Sequence, residues 1–231
     1  MRSALRFAFA VLLCNSIACA DWPHVNRKLT SKQITIRKVV LLPAQVAFNR
    51  IGTRGSEGGI REGDRIALSF YSAVSKELSS RGVEVLPNTP IQAKDDVAKY
   101  AIADLQGKYD NVAVQLRKKP GRVAKGGFTL GDRVAKFEPG AAADALVFIR
   151  GSGQIFTPGR KALALAVGGP LSVIGRFRGE VTLVDPKTGE VLMFLRFLLL
   201  RDMTAKTDER LAQTLRATLH DVPLPVPPHK R

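Results

Sequence analysis

The residues that could carry chemistry are few and scattered. The three histidines are His24, His220 and His229, and none has the spacing at which a helix presents a pair to one metal ion. A serine nucleophile would need His220 as its base, and no Gly-x-Ser-x-Gly stretch exists to expose such a serine. The paired acids of "SEGGIREGD", Glu57, Glu62 and Asp64, lack the alternating oxygen ligands of a calcium loop. Gly151-Ser152-Gly153 lacks the third glycine that opens a helix in a dinucleotide fingerprint, and no Walker sequence occurs. Glycines placed in a strand rather mark a bulge or a close approach. The expectation is therefore no catalytic residue, no metal, no cofactor and no enzymatic activity; the alternative is a hydrolase acting on an acidic glycan, which would need two carboxylates facing each other across a cleft at about 5–10 Å.

What the sequence has in excess is positive charge. There are 36 Lys+Arg against 20 Asp+Glu. The densest cluster is "RKKPGRVAK", with Arg117, Lys118, Lys119, Arg122 and Lys125. No aromatic residue interleaves it, so it offers no platform for base stacking, and nucleic acid is not the expected partner. Anionic lipid or glycan contact is one reading. The other is a solvated helix end, where cations favour the negative pole of the helix dipole.

Both cysteines, Cys14 and Cys19, fall in the first twenty residues. Arg2 and Arg6 precede the short apolar run "FAFAVLL", and Ala18-Cys19-Ala20 offers a small-x-small cleavage site before Asp21. That run is far shorter than the roughly 20 residues that span a bilayer. The stretch reads as an export leader. "SIAC" also resembles a lipobox, with Cys19 as the acylated first residue, although Ser16 stands where Leu is usual. The two outcomes are a diffusing periplasmic or secreted protein and an outer-membrane lipoprotein. Without Arg2 and Arg6 the charge is 34 − 20 = +14. Removal of the leader leaves no thiol for a zinc site, a nucleophile or an internal disulfide, so about 210 residues must be held by one core.

These features need elements to position them. "RKVVLLPA" is a buried strand stopped by Pro43, and "RIGTRGSEGGIREG" reads as a glycine-rich loop. In "DRIALSFYSAVSKELSSRG", Ile66, Phe70, Ala73, Val74 and Leu78 form one helical stripe that ends at Gly82. "VEVLP" is a second strand. "DDVAKYAIADLQGKYDNVAVQLRKK" is one or two helices with Gly107 as a break, and "TLGDRVAKF" is a short helix. "ADALVFIRGSGQIF" is a strand covered on both faces. "RFRGEVTLVDPKTGEVLMFLRFLLL" is a hairpin turning at Asp185, Pro186 and Gly189. In its first strand Phe177, Val181 and Leu183 alternate with Arg178, Glu180 and Thr182. In its second, expected to be central, Val191, Met193, Leu195, Phe197 and Leu199 share a face, with Leu192, Phe194, Leu198 and Leu200 opposite. Arg196 interrupts that second face. A contact surface for another protein is thus expected at Phe194, Arg196 and Leu198. "TDERLAQTLRATL" closes the domain as a helix with a Leu211, Leu215, Leu219 stripe.

The resulting order is β-α-β-α-β-β-β-α, an α/β (α+β) fold with a mixed sheet packed against helices. The bounds are leader 1–20, extended segment 21–37, one domain 38–220 and a proline-rich tail 221–231. "KVVLLP", "RGVEVLP", "ADALVFIRGSG" and "VTLVDPKTGEVL" in this order resemble the fold shared by the TolB N-terminal domain, LpoB and CsgG, over Lys38 to Leu219. The resemblance implies a periplasmic protein, often a lipoprotein, that acts by binding other proteins, here as part of an envelope assembly or secretion complex, with an oligomer left open. Thr157 to Phe177 is longer than a tight connection, but "KALALAVGG" offers no polar lumen face for a CsgG-like pore.

Overall fold

The computed structural model describes residues 18–20, 22–87, 96–132, 134, 137, 140–168, 175–200 and 207–225. A mixed nine-stranded sheet lies between two helical layers. Its elements in chain order are β1 (Ala18–Ala20), β2 (His24–Val25), α1 (Arg27–Thr30), β3 (Lys38–Leu41), β4 (Gln45–Gly52), β5 (Gly55–Gly58) and α2 (Ile60–Ser80). There follow β6 (Glu84–Leu86), α3 (Asp96–Lys118), β7 (Ala145–Phe156), α4 (Pro158–Gly168), β8 (Arg176–Val184), β9 (Val191–Leu199) and α5 (Thr207–Leu219). The core path β3-α2-β6-α3-β7-β8-β9-α5 has the order expected from the sequence, and the fold class is mixed α/β. Among the described residues no helix is long and apolar enough to cross a membrane.

The strand order is β1-β9-β8-β7-β3-β6. β7 is the organiser. β3 and β4 run parallel to its first and second halves, and β8 runs antiparallel along its other side. Pro43 has no N–H for the ladder, so it divides β3 from β4 rather than ending the extended chain. The glycine-rich stretch is therefore not a loop. Its residues form the β4–β5 hairpin, Asn49↔Gly58 to Gly52↔Gly55, because β7 supplies a neighbour that the local sequence does not reveal. α3 also runs unbroken through Gly107.

One face of the sheet is covered by α2 and α5. The α2 stripe Ile66, Phe70, Ala73, Val74 and Leu78 is buried, as is the α5 stripe Leu211, Leu215 and Leu219. Three glycines make this face possible. A Cβ on Gly151 would lie 2.8 Å from Phe177, one on Gly153 2.3 Å from Phe48, and one on Gly179 2.2 Å from Phe197. Each glycine lets a ring lie flat against the sheet. Phe70 of α2 then meets Phe177 and Phe197 edge-on, at 5.8 and 5.5 Å between centroids.

The β8–β9 hairpin pairs as expected from Phe177↔Leu199 to Val184↔Val191. Its turn is held by Asp185, whose carboxylate accepts from Lys187 N and Thr188 Oγ1, both at 2.8 Å, and by Gly189 at φ 70°. Two details depart from expectation. A register shift at Leu183/Val184 exchanges the faces of Val191 and Leu192, so Leu192 joins the α2/α5 side and Val191 the other. β9 has neighbours on both edges, as a strand inside the sheet must, but it lies near one end of the strand order. Its outer edge carries only the short strands β1 and β2.

The chain ends are less loose than their composition suggests. Asn26, buried, caps α1 and donates to Glu190 Oε1 at 2.9 Å, while its backbone N–H reaches Leu192 O. Leu29 and Ile36 are buried, as are Val222 and Leu224 of the proline-rich tail. Packing therefore extends beyond 38–220 at both sides. Ala18–Ala20, inside the expected leader, pair with Phe197–Leu199.

Candidate functional site

The second sheet face begins as core and ends as an open, charged surface. Under α3, Tyr109 stacks on Phe148 at 4.6 Å, and its hydroxyl shares a 2.7 Å hydrogen bond with Thr182 Oγ1. Burial, and secondarily the nearby Glu180 carboxylate, push the Tyr109 phenol well above its ordinary pKa. Phe194 belongs to this buried layer at 1% exposure. It cannot be part of a contact surface, which corrects the expectation for that residue. Its side chain is needed to close the core beneath Tyr109 and the helix layer.

One rung further along the strands the chemistry changes. Arg150 of β7, Glu180 of β8 and Arg196 of β9 are direct cross-strand neighbours. Glu180, nearly buried, accepts a two-pronged hydrogen bond from Arg117 of α3, Nε to Oε1 at 2.7 Å and Nη2 to Oε2 at 2.8 Å. That bond raises the Arg117 pKa further. Arg150 is 6% exposed. Its Nη2 donates to Gln106 O at 3.1 Å and Asp110 Oδ1 at 2.7 Å, and its guanidinium lies over the Tyr109 ring. Its Nε and Nη1 are buried with no hydrogen-bond partner among the described residues.

The next rung is Ala47, Ser152, Arg178 and Leu198. Small side chains here leave a cleft of ≈ 610 Å³, lined by Arg117, Arg150, Arg178, Arg196 and Glu180 above a floor that includes Ala47, Gly151 and Ser152. Four guanidinium groups line the cleft with one carboxylate, Glu180, and Asp110 lies behind Arg150. Such a concave, arginine-lined site suits an oxyanion, because the planar fork matches carboxylate and phosphate oxygens.

The residues singled out from sequence divide on this geometry. Arg117 turns inward to Glu180, whereas Lys118, Lys119, Arg122 and Lys125 are exposed at the end of α3 and on the following 3-10 turn, with Arg122 over Phe128. The linear cluster is thus a helix end with one member recruited to the cleft. Arg196 and Leu198 are half-buried at the cleft. Cys19 pairs through its backbone with Leu198. Cys14 and His229 lie outside the described residues. His24 sits in β2, and His220 contacts Asp221 at the surface. Among the described residues no three His, Cys, Asp or Glu gather as a metal site. Arg150, Arg178 and Glu180 were not singled out as a site. Their sequence trace is a charged residue at alternate positions of otherwise apolar strands.

No family model and no curated protein matches the chain. Among solved structures it is similar to a PelC dodecamer from Paraburkholderia phytofirmans in space group P6, with 9% identity, TM-score 0.34, and 87% of this chain and 94% of that one covered. It is also similar to a point variant of that dodecamer in space group C2, with 10% identity, TM-score 0.36, and 91% and 99% covered. At these scores the likeness carries no weight for function.

Proposed function

We propose that this chain is an exported, non-enzymatic binding protein of the cell envelope that holds an anionic envelope component in the arginine cleft. The convergence of four arginine side chains on one recessed cleft carries the reading. The leader-like N-terminus and the sequence resemblance to the TolB, LpoB and CsgG group support the location and the binding role. Recognition by the cleft differs from attraction by net charge alone, and mutation separates them. Charge reversal of Arg178 and Arg196 should abolish binding of anionic envelope extract components in a pull-down at physiological salt. Reversal of Lys118 and Lys119, which are exposed and do not line the cleft, should leave it within about twofold. Equal losses in both double variants would overturn the cleft as the site and favour a diffuse polyanion surface.

A further inference from the structure

Helix α4 is turned inside out. The half-buried positions within it are Arg160, Lys161 and Ala164, which lie at the three- and four-residue spacing of one helix face. Left exposed are Ala162, Leu163, Leu165, Ala166 and Val167, with Leu163 at 47%, Leu165 at 49% and Val167 at 83%. A surface helix of a globular protein does the reverse, with its apolar stripe on the core and its charges in water. The orientation is set where the helix begins. Thr157 donates its N–H to Ile51 O of β4 at 3.0 Å, and its hydroxyl accepts from Arg160 N at 3.4 Å. Arg160 Nε is buried with no hydrogen-bond partner among the described residues. A polar atom is thus taken out of water while two leucines and a valine are left in it.

The surroundings of α4 are basic. No Asp or Glu occurs between Asp144 and Glu180. A Cβ on Gly159 would lie 3.7 Å from Thr53 Cγ2, which places the first turn of α4 beside the β4–β5 turn. Arg54 follows in that turn, and Arg176 opens β8 opposite Gln154, near the end of β7 from which α4 departs. Both arginines are exposed.

From this arrangement we infer that α4 docks the protein on the surface of an anionic lipid bilayer, with Leu163, Leu165 and Val167 at the acyl boundary and Arg54 and Arg176 at the phosphates. An apolar segment of about 10–14 residues is either a buried core helix or an interfacial one. Exposure excludes the first for α4, and among the described residues no helix is long and apolar enough to cross a membrane. A second copy of the chain is disfavoured, because a twofold contact through α4 would bring two basic rims together, whereas anionic headgroups attract them. No α4 residue lines the arginine cleft, so the inference stands apart from the anion-binding reading.

Leu165→Trp in a Trp22→Phe background gives the full chain one indole, placed on α4. On vesicles of phosphatidylethanolamine and phosphatidylglycerol its emission should shift to the blue and be quenched by lipids brominated near the head of the acyl chain. Adding Leu163→Ser and Val167→Ser, both at exposed positions, should weaken partitioning about tenfold or more. Arg54→Gln and Arg176→Gln should each weaken it about fivefold, and neither should matter on phosphatidylcholine vesicles. Thermal melts establish that each variant is folded. Emission from position 165 that vesicles leave unchanged would overturn the inference, even where the chain sediments with them through its leader. A blue shift that needs no lipid and comes with a doubled mass in ultracentrifugation would overturn it in favour of a second copy.

Discussion

Gly179 tests the packing of the sheet most directly. Its φ is not positive, so alanine suits the backbone, and the effect of Gly179→Ala is steric. The added Cβ would meet Phe197 Cζ at 2.2 Å, Cε1 at 2.6 Å and Cε2 at 2.7 Å. Carbon atoms rest at roughly 3.5–4.0 Å, so the ring must lift by about 1.3 Å or more. It cannot lift freely, because Phe70 and Phe177 stand beside it with centroids at 5.5 and 6.2 Å. Overpacking of this kind costs about 1–3 kcal/mol. Replacing glycine in a compatible conformation returns about 0.4–1 kcal/mol through the unfolded chain. The net expectation is a loss of about 1–2 kcal/mol in urea denaturation, read as a lower midpoint at unchanged slope. Phe197→Leu removes the clashing ring atoms and costs about 1–2 kcal/mol alone through the space it leaves. The double variant should then be more stable than the sum of the two losses by about 1 kcal/mol. Additivity within about 0.5 kcal/mol would show that Phe197 does not lie over Gly179, and the packing of this face would be wrong.

Leu195, fully buried on the same face, should cost about 2–5 kcal/mol as alanine, measured by the same denaturation. Glu180→Gln removes the carboxylate that Arg117 grips. Arg117 is 43% exposed and rehydrates, so the loss should be about 1–3 kcal/mol, below the range for a fully buried pair. The same change removes the one carboxylate that lines the cleft and should tighten the binding of an anionic probe in calorimetry, and weaker binding would contradict the reading of the cleft as an anion site. Tyr109→Phe should lose about 1 kcal/mol with the Thr182 hydrogen bond. Because burial first and Glu180 second raise the folded-state pKa above the ordinary 10.0, the neutral phenol's contribution is complete below that value. It is lost as pH rises past it. Stability of Tyr109→Phe should therefore fall less steeply than the parent's above about pH 10.

Local periodicity carried most of the fold. The stripes at Ile66 to Leu78 and Leu211 to Leu219, and the Asp185–Gly189 turn, are written at spacings of a few residues, and the structure has them where the pattern places them. What failed depended on distant neighbours. Gln45 to Ile51 is strand because β7 lies alongside it, and Gly55 to Gly58 folds back to pair with that strand; nothing in a run of glycines announces a partner a hundred residues away. The register shift that exchanges Val191 and Leu192 is equally silent in an unbroken apolar run. The site shows the same division. Arg196 stood out as a lone charge in an apolar strand, but Arg150, Glu180 and Arg178 join it only through register across three strands. The cluster from Arg117 to Lys125 was conspicuous because its members are contiguous, yet only Arg117 reaches the cleft.

The position of β7 in the chain has a consequence for synthesis. β3 has two neighbours, β6 and β7, and β4 is joined to β5 and β7, so the first half of the molecule has little sheet to join until Ala145 and the residues after it exist. At about 5–20 residues per second, that interval lasts roughly 7–30 s. Parallel pairings with this much intervening chain close slowly even then. A nascent chain built in this order stays extended and unpaired while its first half is made. Moving the β7 to β9 segment to the front by circular permutation would remove the delay, and the permuted protein should gain protease protection earlier during synthesis.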